Sequence, residues 1–307
     1  MNRVWDKGEP TDLVYLNRFM FAMKKIIPWC TQNFFVERKI ESRFDHGRYG
    51  LRPSHRALSA HVTINDELPN RIASGTIIIK PNVASFSEGS KTVTFDDGTK
   101  VEDVDVVIFA TGFSFGFPLL EKGQLIPVKE NQVSLYLNMY PPNLSEKNTL
   151  GVIGLIQPTG SIMPISEMQC RLFMSALSGK TKLPSETEMM KHIEKVKKTM
   201  AKEFIASRRH TIQVYYPEYM DEVAKVLGCL PRVNTRWLTD PRLARSLVFN
   251  GLVPYQYRLD GPHSWDGARK AILTMEERTF NSTRTRKTKD TMKSKPGVNF
   301  IWRIIKG

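Results

Sequence analysis

The segment Val104-Asp105-Val106-Val107-Ile108-Phe109-Ala110-Thr111-Gly112 constrains the fold of this chain more than any other. From Val106 to Ala110 every residue is apolar, and nothing alternates. A strand with one wet face alternates. A run that is apolar on both sides predicts a central strand of a parallel sheet, covered above and below. Parallel neighbours are joined by crossover connections, usually helices, so the segment predicts an α/β protein. The run ends in Ala-Thr-Gly. Small residues at the carboxyl end of a parallel strand let a ligand come close to the main chain, and such strand ends are where α/β sheets bind ligands. A strand followed by an ordinary Thr-Gly turn satisfies the same letters.

The rest of the chain mixes the two periodicities. Leu13, Leu16, Met20, Met23 and Ile27 recur at steps of three and four, which predicts an amphipathic helix interrupted at Pro28, with a second helical run over 31–44. Residues 46–69 read as irregular. Thr76 to Lys80 is a short β-branched run, and Lys91 to Phe95 alternates before the turn Asp96-Asp97-Gly98-Thr99, which predicts a half-exposed hairpin. Strands are expected at 132–136 and, buried, at 150–156. Helices are expected at 165–177, behind the Ser185-x-x-Glu188 capping box to about Ile205, at 219–227 closed by Gly228, from Asp240-Pro241 to Phe249, and at 265–277.

Composition excludes several classes. Apolar residues make up 41% of 307, enough for a real core, and no stretch approaches the run of about 18 apolar residues that a membrane span needs. No secretory leader is evident at the start. Cys30, Cys170 and Cys229 form no C-x-x-C pair, so they read as reduced, buried, structural thiols rather than as a zinc or dithiol site. The spacings of His46, His55 and His61 fit no metal pattern, and no metal is expected. Gly179-Lys180-Thr181 resembles the end of a Walker loop, but Met174 stands where its first glycine belongs. Arg52 and Arg56 read as solvated surface rather than as partners of a phosphate.

At Phe109-Ala110-Thr111-Gly112-Phe113 the sequence resembles the F-A-T-G-Y signature of flavin-containing monooxygenases, with Phe in place of Tyr. The resemblance runs through almost the whole chain. It includes Asn65-Asp66-Glu67-Leu68-Pro69, Val83 to Phe86, Tyr140-Pro141-Pro142-Asn143-Leu144, Gly154-Leu155-Ile156-Gln157-Pro158 with Pro164, Leu238-Thr239-Asp240-Pro241, Gly261-Pro262 and Trp265-Asp266-Gly267-Ala268-Arg269. The two glycine fingerprints of the family, one for FAD and one for NADPH, lie N-terminal to everything matched. The resemblance is therefore to the C-terminal part.

It implies a partial Rossmann-like flavoprotein fold of two dinucleotide-binding domains, with a helical insertion and a helical C-terminal region. Residues 1–112 would be the remainder of the NADPH-binding domain with the insertion. Residues 113–280 would be the returning FAD segment and the C-terminal helices. The implied reaction uses NADPH, FAD and O2 to oxygenate a soft amine nitrogen or sulfur of a small molecule, and the cofactor carries the chemistry. A truncated, inactive member that cannot bind its cofactors alone is the competing expectation, because the helix N-termini of both fingerprints are missing. Expected cofactor contacts are Thr111 and Gly112 at one strand end, and Gln157, Thr159 and Gly160 between a second strand and a helix whose first amides suit an electron-rich group. Gln157 reads equally as an ordinary loop amide. Trp265 to Arg269 reads as structural, and Asn281-Ser282-Thr283 is a glycosylation acceptor only if it meets a lumen.

The net charge of +14 first suggests nucleic acid, but no recognition motif and no aromatic–basic interleaving accompany it, so nucleic acid is not an expected partner. Half of that charge lies in residues 281–307, where eight basic residues face one acidic residue beside Phe300, Ile301 and Trp302. The expectation is a basic, flexible tail that associates with an anionic membrane surface. The family resemblance places such proteins at the endoplasmic reticulum membrane, with no transmembrane segment in this chain.

Overall fold

The computed structural model describes residues 8–285, and most of the expected basic tail, residues 286–307, lies outside them. The chain divides into two compact units. The first comprises Trp29–Val133 and Val196–Thr211. The second comprises residues 8–28, Ser134–Lys195 and residues 212–285. Helices and small sheets make a mixed α/β protein.

The first unit holds α3 (Trp29–Glu41), α4 (Leu68–Ala73) and an antiparallel sheet of β1 (Val83–Phe86), β2 (Val93–Phe95) and β3 (Lys100–Val101). The predicted hairpin is present: Val93 faces Val101 and Thr94 faces Lys100. Gly98 takes φ +78° in its turn, and the Asp97 carboxylate accepts from the Thr99 hydroxyl at 2.6 Å and the Thr99 amide at 3.0 Å. Those bonds hold the Asp97 carboxyl below its ordinary range. Helix α3 is tied down by buried Asn33, whose side chain gives to the Trp29 carbonyl and accepts from the Leu58 amide. It is tied again by Glu37, which takes both Arg56 and the Ala57 amide. Arg56 is therefore paired rather than merely solvated, and Arg52 lies 3.6 Å from Glu41. Helix α4 begins at the end of the region read as irregular, 46–69, where Asn65 accepts from the Glu67 and Leu68 amides and turns the chain into it.

The second unit opens with two short helices, α1 (Thr11–Tyr15) and α2 (Arg18–Ile26), where one longer helix was predicted. The break is Asn17. Its side chain accepts from the Met20 amide as a cap and gives to the Val14 carbonyl, an alternative to continuing the helix. Helix α5 (Ile162–Leu177) starts three residues earlier than predicted, and α6 (Glu186–Glu203) starts behind the capping box, where Glu188 accepts from the Ser185 amide and hydroxyl. Helix α6 runs across the boundary between the units.

Two parallel strands, β4 (Gln157–Pro158) and β5 (Gln213–Val214), pair beside α5 and α7 (Tyr216–Leu227). Gly228 caps α7 in the left-handed conformation, as predicted. Helix α8 (Val233–Thr239) was not foreseen. Helix α9 (Pro241–Phe249) begins at the expected Asp240 cap, which accepts from the Leu243 amide at 3.1 Å. The last predicted helix is divided into α10 (Ala268–Leu273) and α11 (Met275–Thr279).

The core lies in the second unit. Met139, Tyr140, Ile165, Leu172, Met220, Val223 and Tyr257 pack with α5 and α7 at its centre. Half-buried Arg18 crosses this unit, giving to Asp221 from two nitrogens and to the Leu247 carbonyl and the Gln256 side chain, while the Tyr257 hydroxyl also gives to Asp221. A guanidinium is tolerated there because its donors are met.

Several expected strands are not formed. Residues 104–110 are not part of either sheet, and 105–110 are exposed, with Ile108 at 84%. The run pairs with no neighbouring strand among the described residues, and an apolar run without a neighbour cannot become a buried strand. Thr76 to Lys80 is likewise irregular, with Ile78 exposed. Residues 132–136 form no strand because the chain turns back at once. Leu137 and Asn138 both have φ +53°, and Tyr136 bridges Tyr140. Residues 150–156 form no strand either, but Val152 gives one bond to the Met139 carbonyl and Ile156 is buried. Of the three thiols only Cys229 is buried; Cys30 and Cys170 are exposed, against the expectation for all three.

Candidate functional site

The expected cofactor contacts fall on both units, Thr111 and Gly112 on the first and Gln157, Thr159 and Gly160 on the second. In the first unit the chain leaves β3, and the Val104 amide gives to the Lys91 carbonyl at 2.9 Å. Lys91 also reaches the Asp105 carboxylate at 2.9 Å. From Val106 to Gly112, no hydrogen bond within the described residues reaches the main chain. The Phe109 ring meets the Phe86 ring of β1 edge-on at 6.1 Å between centroids. Gly112 has φ +90°, and a Cβ added there would find nothing within 4 Å. Glycine is required by the backbone angle, and the space above it is open.

Immediately beyond, the chain is fastened again. Buried Asn131 gives to the Phe113 carbonyl at 3.0 Å and to the Arg208 carbonyl at 3.3 Å, and accepts from the Phe115 amide at 3.3 Å. Arg208 gives to the Ser114 hydroxyl at 2.9 Å and pairs with Glu130 at 3.0 Å. Sequence reasoning did not single out Asn131 or Arg208. The signal available was the polar run Lys129-Glu130-Asn131-Gln132 between Val128 and Val133, with Glu130 and Asn131 at its centre. Both take positive φ, and Lys129 bridges Gln132 across them.

In the second unit, Gln157 lies on β4 and its amide gives to the Ile212 carbonyl at 2.9 Å. Thr159 follows, its hydroxyl accepting from the buried Gln213 side chain at 3.2 Å. Gly160 has φ +145°, and a Cβ there would lie 3.1 Å from Leu16 and 3.3 Å from the Tyr216 ring. The need for glycine at 160 comes from the protein's own packing. Ser161 then leads into α5 without a side-chain cap, and the first turn carries no acidic residue. The neighbouring strand β5 leads likewise into α7, whose first turn carries Glu218. Two parallel strands thus each run directly into a helix, and the amino end of α5 is the one without a compensating carboxylate. Strand β5 and Gln213 were not foreseen, because a two-residue strand has no periodicity to read.

The histidines weighed as ligands are engaged elsewhere. His46 lies 3.6 Å from Glu41 and stacks on Phe44, and the His55 ring nitrogen is 3.0 Å from the Arg56 carbonyl. Burial, with His61, Arg209 and His55 nearby, lowers the affinity of His210 for its proton. Among the described residues, no three His, Cys, Asp or Glu side chains converge as a metal set. The Trp265 to Arg269 block is structural: Arg269 gives to Asp240 at 2.6 Å, joining it to the Leu238 to Pro241 block at the head of α9.

Unbonded amides and carbonyls over 110–112 are open to a flat ligand at the first unit, and an uncompensated helix start follows Gly160 at the second. No glycine-rich pyrophosphate cradle is present in the sequence.

A family model for flavin-binding monooxygenase-like proteins matches residues 1–305. The chain is 50% identical over 291 residues to flavin-containing monooxygenase 5 of Oryctolagus cuniculus, covering 95% of this chain and 54% of that protein. It is 46% identical over 286 residues to flavin-containing monooxygenase 5 of Homo sapiens, covering 93% of this chain and 53% of that protein. The chain thus spans about half the length of the curated relatives it matches. Among solved structures, an S-allyl-L-cysteine S-oxygenase from Allium sativum matches with a TM-score of 0.42 and 25% identity, covering 65% of this chain and 43% of that one.

Proposed function

Because the chain belongs to the flavin-binding monooxygenase-like family, we propose that it forms the C-terminal part of an FAD- and NADPH-dependent monooxygenase acting on small amines or sulfides. The overall balance would be NADPH, a proton, O2 and the substrate giving NADP⁺, water and the N- or S-oxide. Bound FAD, reduced by NADPH, would supply the redox and oxygen-transfer chemistry. The chain's own residues bind, orient and exclude water. The observation that carries the reading is the segment Ala110-Thr111-Gly112, where unbonded main chain and open space above a left-handed glycine occur together.

In this reading Thr111 and Gly112 offer main-chain groups to one cofactor, while Gln157, Thr159 and Gly160 present the start of α5 to an electron-rich edge. Residues 1–112 would belong to the NADPH side and residues 113–280 to the FAD side of a Rossmann-like two-domain flavoprotein. The basic residues 281–307 would rest on the anionic face of the endoplasmic reticulum membrane.

The test is reconstitution of the purified chain with FAD, followed by NADPH and an amine or sulfide. Retained yellow flavin absorbance and substrate-dependent NADPH oxidation are expected. Protein that stays colourless after FAD addition and gel filtration overturns the reading for this chain and favours the inactive truncated form.

A further inference from the structure

Resting on the reading of 110–112 as a cofactor contact, we infer that Asn131 is a positioning residue for the cofactor, acting through the main chain that follows Gly112. The Phe113 ring is 97% exposed, so side-chain packing does not fix this turn. A polar clamp does. The Asn131 amide nitrogen gives to the Phe113 carbonyl, and its oxygen accepts from the Phe115 amide, one and three residues past Gly112. The same amide nitrogen gives to the Arg208 carbonyl, and Arg208 returns to Ser114 and Glu130. Asn131 is itself buried and held at φ +58°, a conformation that Asn tolerates better than most residues.

The contrast with the preceding segment gives the clamp its meaning. Residues 106–112 make no main-chain hydrogen bond to described residues, and 113–115 are gripped by one side chain on both a carbonyl and an amide. Fixing the far end of an otherwise unbonded segment sets the direction in which Thr111 and Gly112 present their amides. A ligand meeting a preset edge does not spend binding energy on ordering it. Asn131 touches no reacting atom in this arrangement. It works through the loop, and its loss should weaken binding without removing any contact made to the cofactor.

The experiment measures equilibrium binding of FAD and of NADP⁺ to the purified chain, together with hydrogen exchange of the 113–115 amides. The variants are Asn131→Gly, which keeps the left-handed backbone, and Asn131→Asp, which keeps the acceptor for Phe115 and loses both donors. Asn33→Ala is the control, removing an equally buried asparagine of the same unit that does not touch this loop. Asn131→Gly should weaken binding of at least one cofactor about tenfold and expose the Phe115 amide, with Asn131→Asp intermediate, while Asn33→Ala changes binding less than about threefold. Equal weakening by Asn33→Ala at an equal loss of melting temperature overturns the inference, because the effect is then general stability. Unchanged binding in Asn131→Gly overturns the inference and leaves the proposed function standing. Absence of binding by the parent chain removes both. If Asn131→Gly does not fold, Asn131→Asp decides by the same criteria.

Discussion

The two compact units treat their apolar residues differently. In the second, Tyr140, Met220, Val223 and Tyr257 are fully enclosed between α5, α7 and the segments around them. In the first, the buried apolar side chains described are Val93, Ile126 and Pro69, while Ile78, Phe86, Val106, Ile108, Phe109 and Phe113 are exposed. Composition does not explain this, since both stretches are rich in Val, Ile and Phe. What differs is whether the described residues supply a second layer. Helices carry their own hydrogen bonds and need only a packed face, whereas an extended run needs neighbours for its main chain as well as cover for its side chains. A unit built from helices can therefore close on itself, and a single extended strand cannot. The same difference is legible at two glycines: Gly160 is filled around by Leu16 and Tyr216, and Gly112 looks onto open space.

The largest effect expected from this comparison is at a glycine of the dense unit. Gly261 has φ +71°, and a Cβ there would lie 2.1 Å from the Gly228 carbonyl oxygen. That backbone atom belongs to the cap of α7 and cannot move aside cheaply. Gly261→Ala should destabilise the protein by about 3 to 5 kcal/mol, combining left-handed strain with overpacking. Gly112→Ala bears the strain alone and should cost about 1 to 2 kcal/mol. Urea unfolding of both variants checks the order, and equal costs would break the contrast between packed and open sites.

A smaller, pH-dependent effect is expected where α9 meets α10. The Arg269 guanidinium, and after it the Leu243 amide, hold the Asp240 carboxyl below its ordinary range. A carboxyl depressed in the folded state contributes stability that is complete above its unfolded value near pH 4. That stability is lost as pH falls through the folded value. Arg269→Met raises the folded value toward the unfolded one, so the variant should be somewhat less stable at neutral pH and lose less as pH falls below about 4. Urea midpoints of parent and variant at neutral pH and in that acid range provide the check, and parallel pH profiles would count against the pair.

Much of the second unit was legible because its signals are local. The Asp240-Pro241 start, the Gly228 stop and the Ser185 capping box each need only a few neighbouring residues, and each is where the sequence indicates. The misses were of two kinds. Asn17 and Asn65 redirect the chain through side-chain bonds that do not register in hydrophobic periodicity. The runs at 104–110 and 150–156 have the composition of buried strands, but pairing is a property of the partner as much as of the run. At the candidate site, Thr111 and Gly112 were singled out by the letters of a strand end, although the segment before them forms no strand. Asn131 was not, because its role depends on a loop 16 to 18 residues earlier in the sequence.

The smallest expected change in stability is also the one that probes the open unit most directly. Ile108 is 84% exposed, its main chain makes no hydrogen bond to described residues, and Val106 and Phe109 beside it are exposed as well. An exposed apolar residue contributes little to folding, so Ile108→Thr should alter stability by less than about 0.5 kcal/mol. The enclosed Ile165 provides the matching measurement, since Ile165→Val should cost about 1 kcal/mol for a smaller change in side chain. An apolar run with unbonded main chain is also a template for pairing with another chain, so the same Ile108→Thr change should lower concentration-dependent self-association in light scattering. A loss of more than about 1 kcal/mol in Ile108→Thr would mean that this side chain is covered in solution, and the contrast between the two units would fail at the residue where it is sharpest.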